Sequence, residues 1–338
     1  ARACLTAYER TKDSAWLDRA ATEAQSAVED DGYAAPALLV LSDVHRARGD
    51  HEMLLAALER AARSDRLSGE VRLKLGRALR SAGDTSRAEK ELQESIYLRP
   101  GYWPAHYWLA RLYDSQGLFN AAITEHRQTV ELAPAHYGVH NNLGVAYLNT
   151  GQLHLARQSF EESAALEPDN NYPAFANLGT IYFMESRFAD AADMFERALA
   201  IHDGDYRIWG NLGFSLLSGT DPARSEEPLR KAVELAEQRR EHTAADAALL
   251  CQVAMYHAGL SEAERGLEAV EEAMALAPED ADVVDDIVEA LEDLGHRERA
   301  LEWVERAFAL GVPPSRFENR PSLRGLVAED EYRRLARI

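Results

Sequence analysis

The chain has 338 residues, with 57 acidic against 37 basic side chains and a formal net charge of -20. A field of that sign repels nucleic acid and anionic membranes and favours solubility, so neither is expected as a partner and a protein or peptide is. The two cysteines, Cys4 and Cys251, lie almost a chain length apart, and no Cys/His spacing suits zinc. This pattern implies a reducing, cytoplasmic compartment, with no metal and no cofactor. The longest apolar run, Ala34 to Leu41, is far too short to span a bilayer, and the N-terminus lacks a basic segment followed by an apolar core. Residue 1 is Ala and not Met, which leaves room for an upstream region.

Self-similarity organises the whole sequence. The triplet Asn-Leu-Gly occurs at 142–144, 177–179 and 211–213, spaced by 35 and then 34 residues. Extending that period places repeat starts at Ala1, Ala35, Gly69, Trp103, Tyr137, Tyr172, Tyr206, Ala247 and Ala281. Every seventh residue is apolar, from Ala7, Leu41 and Leu75 to Leu143, Val253 and Ile287, as the buried stripe of a first helix requires. Twentieth residues are small in all but the second repeat, where Leu54 stands, and twenty-seventh residues are small throughout. Small residues at fixed points on two amphipathic stretches mean that paired helices approach closely there. Larger neighbours such as Phe160 and Phe195 then fill the remaining space.

The punctuation agrees. Gly49, Gly83, Gly117, Gly151 and Gly295 recur where the first helix of a repeat must end. Pro100, Pro134, Pro168 and Pro278 follow the second helix. No strand is needed. One interval is 41 residues, and its charged stretch from Glu237 to Ala245 predicts an extended second helix or a longer connector. The first repeat is the weakest match. From Ser315 the period lapses, and Phe317, Pro321, Leu323, Leu326, Tyr332 and Leu335 predict a helical capping segment over 315–338 that covers the last face of an array spanning 1–314.

Leu143-Gly144, Tyr147, Ala156, Phe160, Ser163 and Pro168 stand where tetratricopeptide repeats keep Leu-Gly, Tyr, Ala, Phe, Ala and Pro, so the chain resembles that family over about nine repeats. The resemblance implies an all-α, right-handed α-solenoid of tandem helix-turn-helix repeats that holds other proteins. Tyr182 to Arg197, Asp205 to Gly213 and the stretch from Pro321 to Tyr332 also resemble repeat regions attached to bacterial serine/threonine kinases and related signalling proteins. A role as a regulatory or sensor arm follows from that likeness. Catalysis does not: the chain has no lysine-bearing Gly-rich loop, no His-Arg-Asp loop and no Asp-Phe-Gly.

In each first helix the seventh, eighth and eleventh residues are expected inward. The second, fifth, sixth, ninth, twelfth and thirteenth are then left to line a groove. Sixth residues run Lys74, Trp108, Asn142, Asn177, Asn211, Gln252 and Asp286. An Asn amide can both donate to and accept from a peptide backbone, so a row of them reads main chain. The same amides could instead bond the neighbouring helix and tie repeats together. On the same face the early section offers Arg46, Lys74, Arg77, Arg80 and Arg111. The middle offers Val145, Leu148, Asn149, Phe183, Phe214 and Leu217, and the late section Asp286, Glu289 and further acids. An extended ligand would then be acidic at one end, apolar in the middle and basic at the other.

Other groupings carry less. The run from Lys74 to Arg80 also suits a solvated helix face, and Trp103, Tyr107 and Trp108 beside His106 suit packing between repeats. His136 and His140 have helical spacing but no accompanying Glu. Cys251, placed on the groove side in slot five, has no His in its repeat positioned to activate it. Three roles remain: an interaction module, a substrate-presenting array for a catalytic domain outside this chain, and a self-associating homo-oligomeric scaffold.

Overall fold

A computed structural model describes residues 1–29, 34–219, 221–281, 283–318 and 320–336, without the side chain of Pro321, one of the residues expected in the terminal cap. Among them the regular structure is entirely helical and divides into two compact units, Ala1–Glu167 and Pro168–Ile338. The first unit holds five consecutive helix pairs: α1 (Arg2–Thr11) and α2 (Ala15–Glu29), α3 (Ala34–Arg48) and α4 (His51–Ser64), α5 (Gly69–Ser81) and α6 (Thr85–Leu98), α7 (Trp103–Ser115) and α8 (Phe119–Leu132), α9 (Tyr137–Asn149) and α10 (Leu153–Leu166). The second unit holds four: α11 (Tyr172–Met184) and α12 (Phe188–Ile201), α13 (Tyr206–Ser218) and α14 (Glu226–His242), α15 (Ala247–Gly259) and α16 (Ala263–Leu276), α17 (Val284–Asp293) and α18 (Arg297–Ala309). Three short helices follow: α19 (Ser315–Glu318), α20 (Arg324–Val327) and α21 (Asp330–Leu335).

Four of the pairs close through one recurring fit. The eighth residue of a first helix meets the twenty-fourth residue of its repeat, on the second helix. A Cβ added at Gly144 would lie 2.5 Å from the Phe160 ring, and one at Gly179 would lie 2.7 Å from Phe195. Gly76 faces Leu92 and Gly213 faces Leu229 in the same way. All four large partners are buried, so the backbone of the first helix rests directly on them.

The turns follow the sequence and extend it. Gly49, Gly83, Gly117, Gly151 and Gly295 all adopt positive φ, between 71° and 82°. In the repeats starting at Tyr172 and Ala247 the same slot is filled by Ser186 and Ser261, both at φ 59°, which serine adopts at a cost that glycine avoids. Side-chain caps start many of the helices: Asp50, Ser68, Asp84, Asn171, Asp205 and Asp246 each accept a bond from an amide in the first turn. The long interval is accounted for by α14, which runs 17 residues where other second helices run 14 or so and is preceded by a 3-10 turn at Pro222–Arg224.

Beyond α18 the chain folds back on the second unit. Phe317, Leu323, Leu326 and Tyr332 are fully buried in one cluster with Ile287, Val288, Leu291 and Val304 of the last helix pair. Phe308, Phe317 and Tyr332 pack edge to face, with centroids 5.7 to 6.4 Å apart.

Candidate peptide-binding surfaces

The fifth slot is buried in several repeats, at Leu39, Leu73, Gly210, Cys251 and Asp285, and half-buried at Tyr107, Asn141 and Ala176. A Cβ on Gly210 would collide with Tyr256 of the next first helix, and Asp285 is covered by Arg316 and Arg320. Cys251 is therefore a core residue, not a groove residue, and burial pushes its thiol well above the ordinary range, so it is not a nucleophile in waiting. From the repeat at Gly69 onward the sixth, ninth and twelfth slots keep access to solvent, whereas Val40 in the sixth slot of the second repeat is buried.

In the first unit, Trp108 on α7 is half-buried beneath guanidinium groups. Arg77 lies 4.2 Å, Arg80 5.2 Å and Arg111 5.5 Å from its ring centroid. Lys74 bonds both carboxylate oxygens of Asp43, at 2.8 and 3.0 Å, and Arg46 pairs with the same carboxylate at 2.7 Å. Asp43, Arg46, Lys74, Arg77 and Trp108, with Leu54, Leu55 and Ala78, line a depression of about 270 Å³, and Arg80 and Arg111 lie outside its lining. Burial, and then repulsion from neighbouring arginines, holds the guanidinium groups of Arg77 and Arg80 below their ordinary pKa. Asn142 is half-buried on α9 and donates to the Tyr107 hydroxyl at 3.4 Å, a contact across two repeats. Asn149 folds back on its own helix, donating to the Val145 carbonyl at 3.0 Å.

His106 accepts the role of a strut. Its Nδ1 sits 2.7 Å from Glu125 and its Nε2 3.1 Å from the Pro100 carbonyl. The slot recurs: His140 reaches the Pro134 carbonyl at 2.7 Å and Trp209 the Asp203 carbonyl at 2.7 Å, each a fourth residue bonding back six positions. His136 stacks near Trp103 and Tyr137. Among the described residues no three His, Cys, Asp or Glu side chains converge as a metal site would need.

In the second unit, Asn177 is half-buried and Asn211 exposed. Asn211 and Gln252, sixth residues of consecutive repeats, line one groove of about 650 Å³ with Phe183, Phe214, Met255 and Tyr256. The Gln252 Oε1 is buried without a hydrogen-bond partner. Phe214 lies tilted against Tyr256 with ring centroids 5.9 Å apart, and Phe183 packs edge-on at 5.3 Å against Phe188. A larger depression of about 1080 Å³ lies over α12 and α14, and its two arginines are already paired, Arg224 with Glu196 and Arg230 with Glu226. The aromatic groove has the open amides.

The acidic end of the expected groove is occupied by the chain itself. Arg320 pairs with Asp285, Asp286 and Glu289, Arg316 pairs with Asp285 at 2.7 Å, and Ser322 bonds Glu289. Asp286 and Glu289 thus already have cationic partners, supplied from beyond the repeat period. Met255 stands in slot nine, one of the slots expected to line the groove, although it was not among the expected site residues; Tyr256, in slot ten, was not expected there.

Family models described as tetratricopeptide repeat match residues 137–170, and 55–103, 73–126 and 177–240, which between them cover half of the chain. The chain is a tetratricopeptide repeat protein. As such it belongs to a family whose members mediate protein–protein and peptide interactions. This tetratricopeptide chain is 30% identical over 125 residues to the BBSome complex member bbs-4 of Caenorhabditis elegans, covering 37% of this chain and 27% of that protein. A BBSome complex member BBS4 homolog of Drosophila melanogaster is 21% identical over 236 residues, 70% of this chain and 48% of that one. The chain thus spans about a quarter and about half of the length of these two relatives. Among solved structures, a chain of the APC/C hetero-tetramer Cut9-Hcn1 aligns with a TM-score of 0.55 at 17% identity, over 79% of this chain and 58% of that one, a likeness of fold. Among the described residues no helix is long and apolar enough to cross a membrane.

Proposed function

We propose that this chain is a protein-interaction scaffold that holds an extended peptide segment of a partner in the aromatic groove of the second unit. One observation carries the reading: the Gln252 amide oxygen is buried and unpartnered in a groove that also presents the exposed Asn211 amide. A buried acceptor left unpaired costs about 1–3 kcal/mol, so a small shift of the Gln252 side chain toward a bound strand's N–H would be favoured, beside the already accessible Asn211 amide. Phe183, Phe214, Met255 and Tyr256 supply the apolar walls against which the ligand's side chains would pack. Asn142 and Asn177 extend the row in sequence. The bond from Asn142 to Tyr107 gives it a structural use beside any role in binding.

The match of part of the chain to proteins described as members of a complex fits a role in assembly. The finer reading, a regulatory arm of a larger bacterial signalling protein in the cytoplasm, rests on the resemblance carried by Tyr182 to Arg197 and Asp205 to Gly213. Sequencing the reading frame upstream of Ala1 tests it; a transferase or protease domain there would favour substrate presentation instead. The groove itself is tested by screening an immobilised peptide library with the full chain and with Asn211→Ala/Gln252→Ala. The expected result is loss of the bound peptides in the double variant. Retention of the same peptides with unchanged affinity would remove the groove as the site.

A further inference from the structure

We infer that the first unit carries a second recognition site, built from Arg77, Arg80 and Arg111 around Trp108, for a run of Asp or Glu side chains in the bound partner. The inference rests on the reading of the chain as a peptide-holding scaffold and adds the partner's chemistry. Among the described residues several unpaired cations of the first unit, such as Arg60, Arg63, Lys90 and Arg127, are exposed to solvent, whereas Arg77 and Arg80 are half-buried and crowd one ring. In the first unit Arg46, Arg48, Arg72 and Arg87 all have carboxylate partners, and so does Lys74. Among the described residues Arg77, Arg80 and Arg111 have none within ion-pair distance, although they crowd one indole ring at 4.2, 5.2 and 5.5 Å. The Arg80 Nε is also buried without a hydrogen-bond partner.

Three like charges on one ring repel, and stacking on the indole offsets only part of that. The one carboxylate lining the adjoining depression, Asp43, is already shared by Lys74 and Arg46. An acidic segment laid across α5 and α7 would relieve the repulsion and accept from the forked N–H groups in the plane that stacking leaves free. Leu54, Leu55 and Ala78 in the lining of the same depression suit an apolar residue beside the acids. The arginines occupy slots nine and twelve of the first helices and Trp108 slot six, so the site uses the solvent-facing side of the repeats and spares the core.

The test is fluorescence anisotropy on the full chain with two labelled peptides, one alternating Glu with Leu and one with Gln in place of each Glu. The acidic peptide should bind about tenfold or more tighter, since each charged hydrogen bond contributes about 1.5–3 kcal/mol. Its affinity should fall with added salt and with Arg77→Gln/Arg111→Gln, while the Gln peptide is unaffected by either. Arg77→Lys should recover only part of the loss. Equal affinity of the two peptides for the unaltered chain would overturn the inference, even where a variant fails to fold. So would unchanged acidic-peptide binding by a double variant with the parental circular dichroism melt. A phosphopeptide that outcompetes the acidic peptide would assign the site to phosphate instead. Loss of library peptides in Asn211→Ala/Gln252→Ala alongside equal binding of Glu and Gln peptides would leave the groove standing and remove only this site.

Discussion

A methyl group added at Gly144 would have to displace a buried phenylalanine ring that has nowhere to go. Gly144→Ala should therefore destabilise the first unit by about 1–3 kcal/mol, read as a lowered urea midpoint. The serines at left-handed turns predict the opposite sign. Ser186→Gly removes the clash that an L-residue meets at φ 59° and should stabilise by about 0.5–1 kcal/mol, the left-handed cost less glycine's entropic penalty. An unchanged or lowered melting temperature would show that the turn is not strained. His106 adds a pH dependence. Its hydrogen bond to Glu125 raises its pKa above the ordinary imidazole value, against the opposing effect of burial. A raised folded pKa stabilises at pH below the unfolded value and loses that contribution as pH rises through the folded value. The difference in melting temperature between the parent and His106→Gln should therefore shrink as pH is raised above about 6.5.

At the scale of the helix pair, slots eight and twenty-four trade volume. Gly144 sits over Phe160 and Gly213 over Leu229, whereas Ala254 shares its repeat with Val270 and Val288 with Val304, all buried. In these four pairs a Gly on the first helix goes with the larger Phe or Leu, and an Ala or Val with the smaller Val. Gly144→Ala/Phe160→Leu should accordingly be more stable than Gly144→Ala alone, and a double variant no better than the single would refute the coupling. This regularity is also why the helix pairs were legible in the sequence: each slot has one steric requirement, and the period exposes it. Slot five escaped because its environment is set by the following repeat, so Cys251 reads as a groove residue until α17 is seen packed on α15. The acids of α17 escaped for a different reason. Arg316 and Arg320 lie where the period has lapsed, and no spacing rule points from them to Asp285 and Glu289.

At the scale of the chain, the segment after α18 serves two ends. It buries Phe317, Leu326 and Tyr332 against the last helix pair, and it matches the acidic face of α17 with two arginines. Phe317→Ala should cost about 3–5 kcal/mol and lower the melting temperature of the second unit, as expected of a terminal cap on a solenoid. With that end satisfied internally, two surfaces combine polar groups that lack a partner with aromatic walls: the groove of Asn211 and Gln252, and the arginines over Trp108. Both lie on first helices, the sixth slot recurs in both, and neither needs catalytic chemistry. The most direct check is isothermal titration of a peptide selected by the full chain into parent and Asn211→Ala/Gln252→Ala protein of equal melting temperature. A scaffold that reads main chain through this groove predicts at least about a tenfold loss of affinity in the double variant. Identical dissociation constants would contradict it.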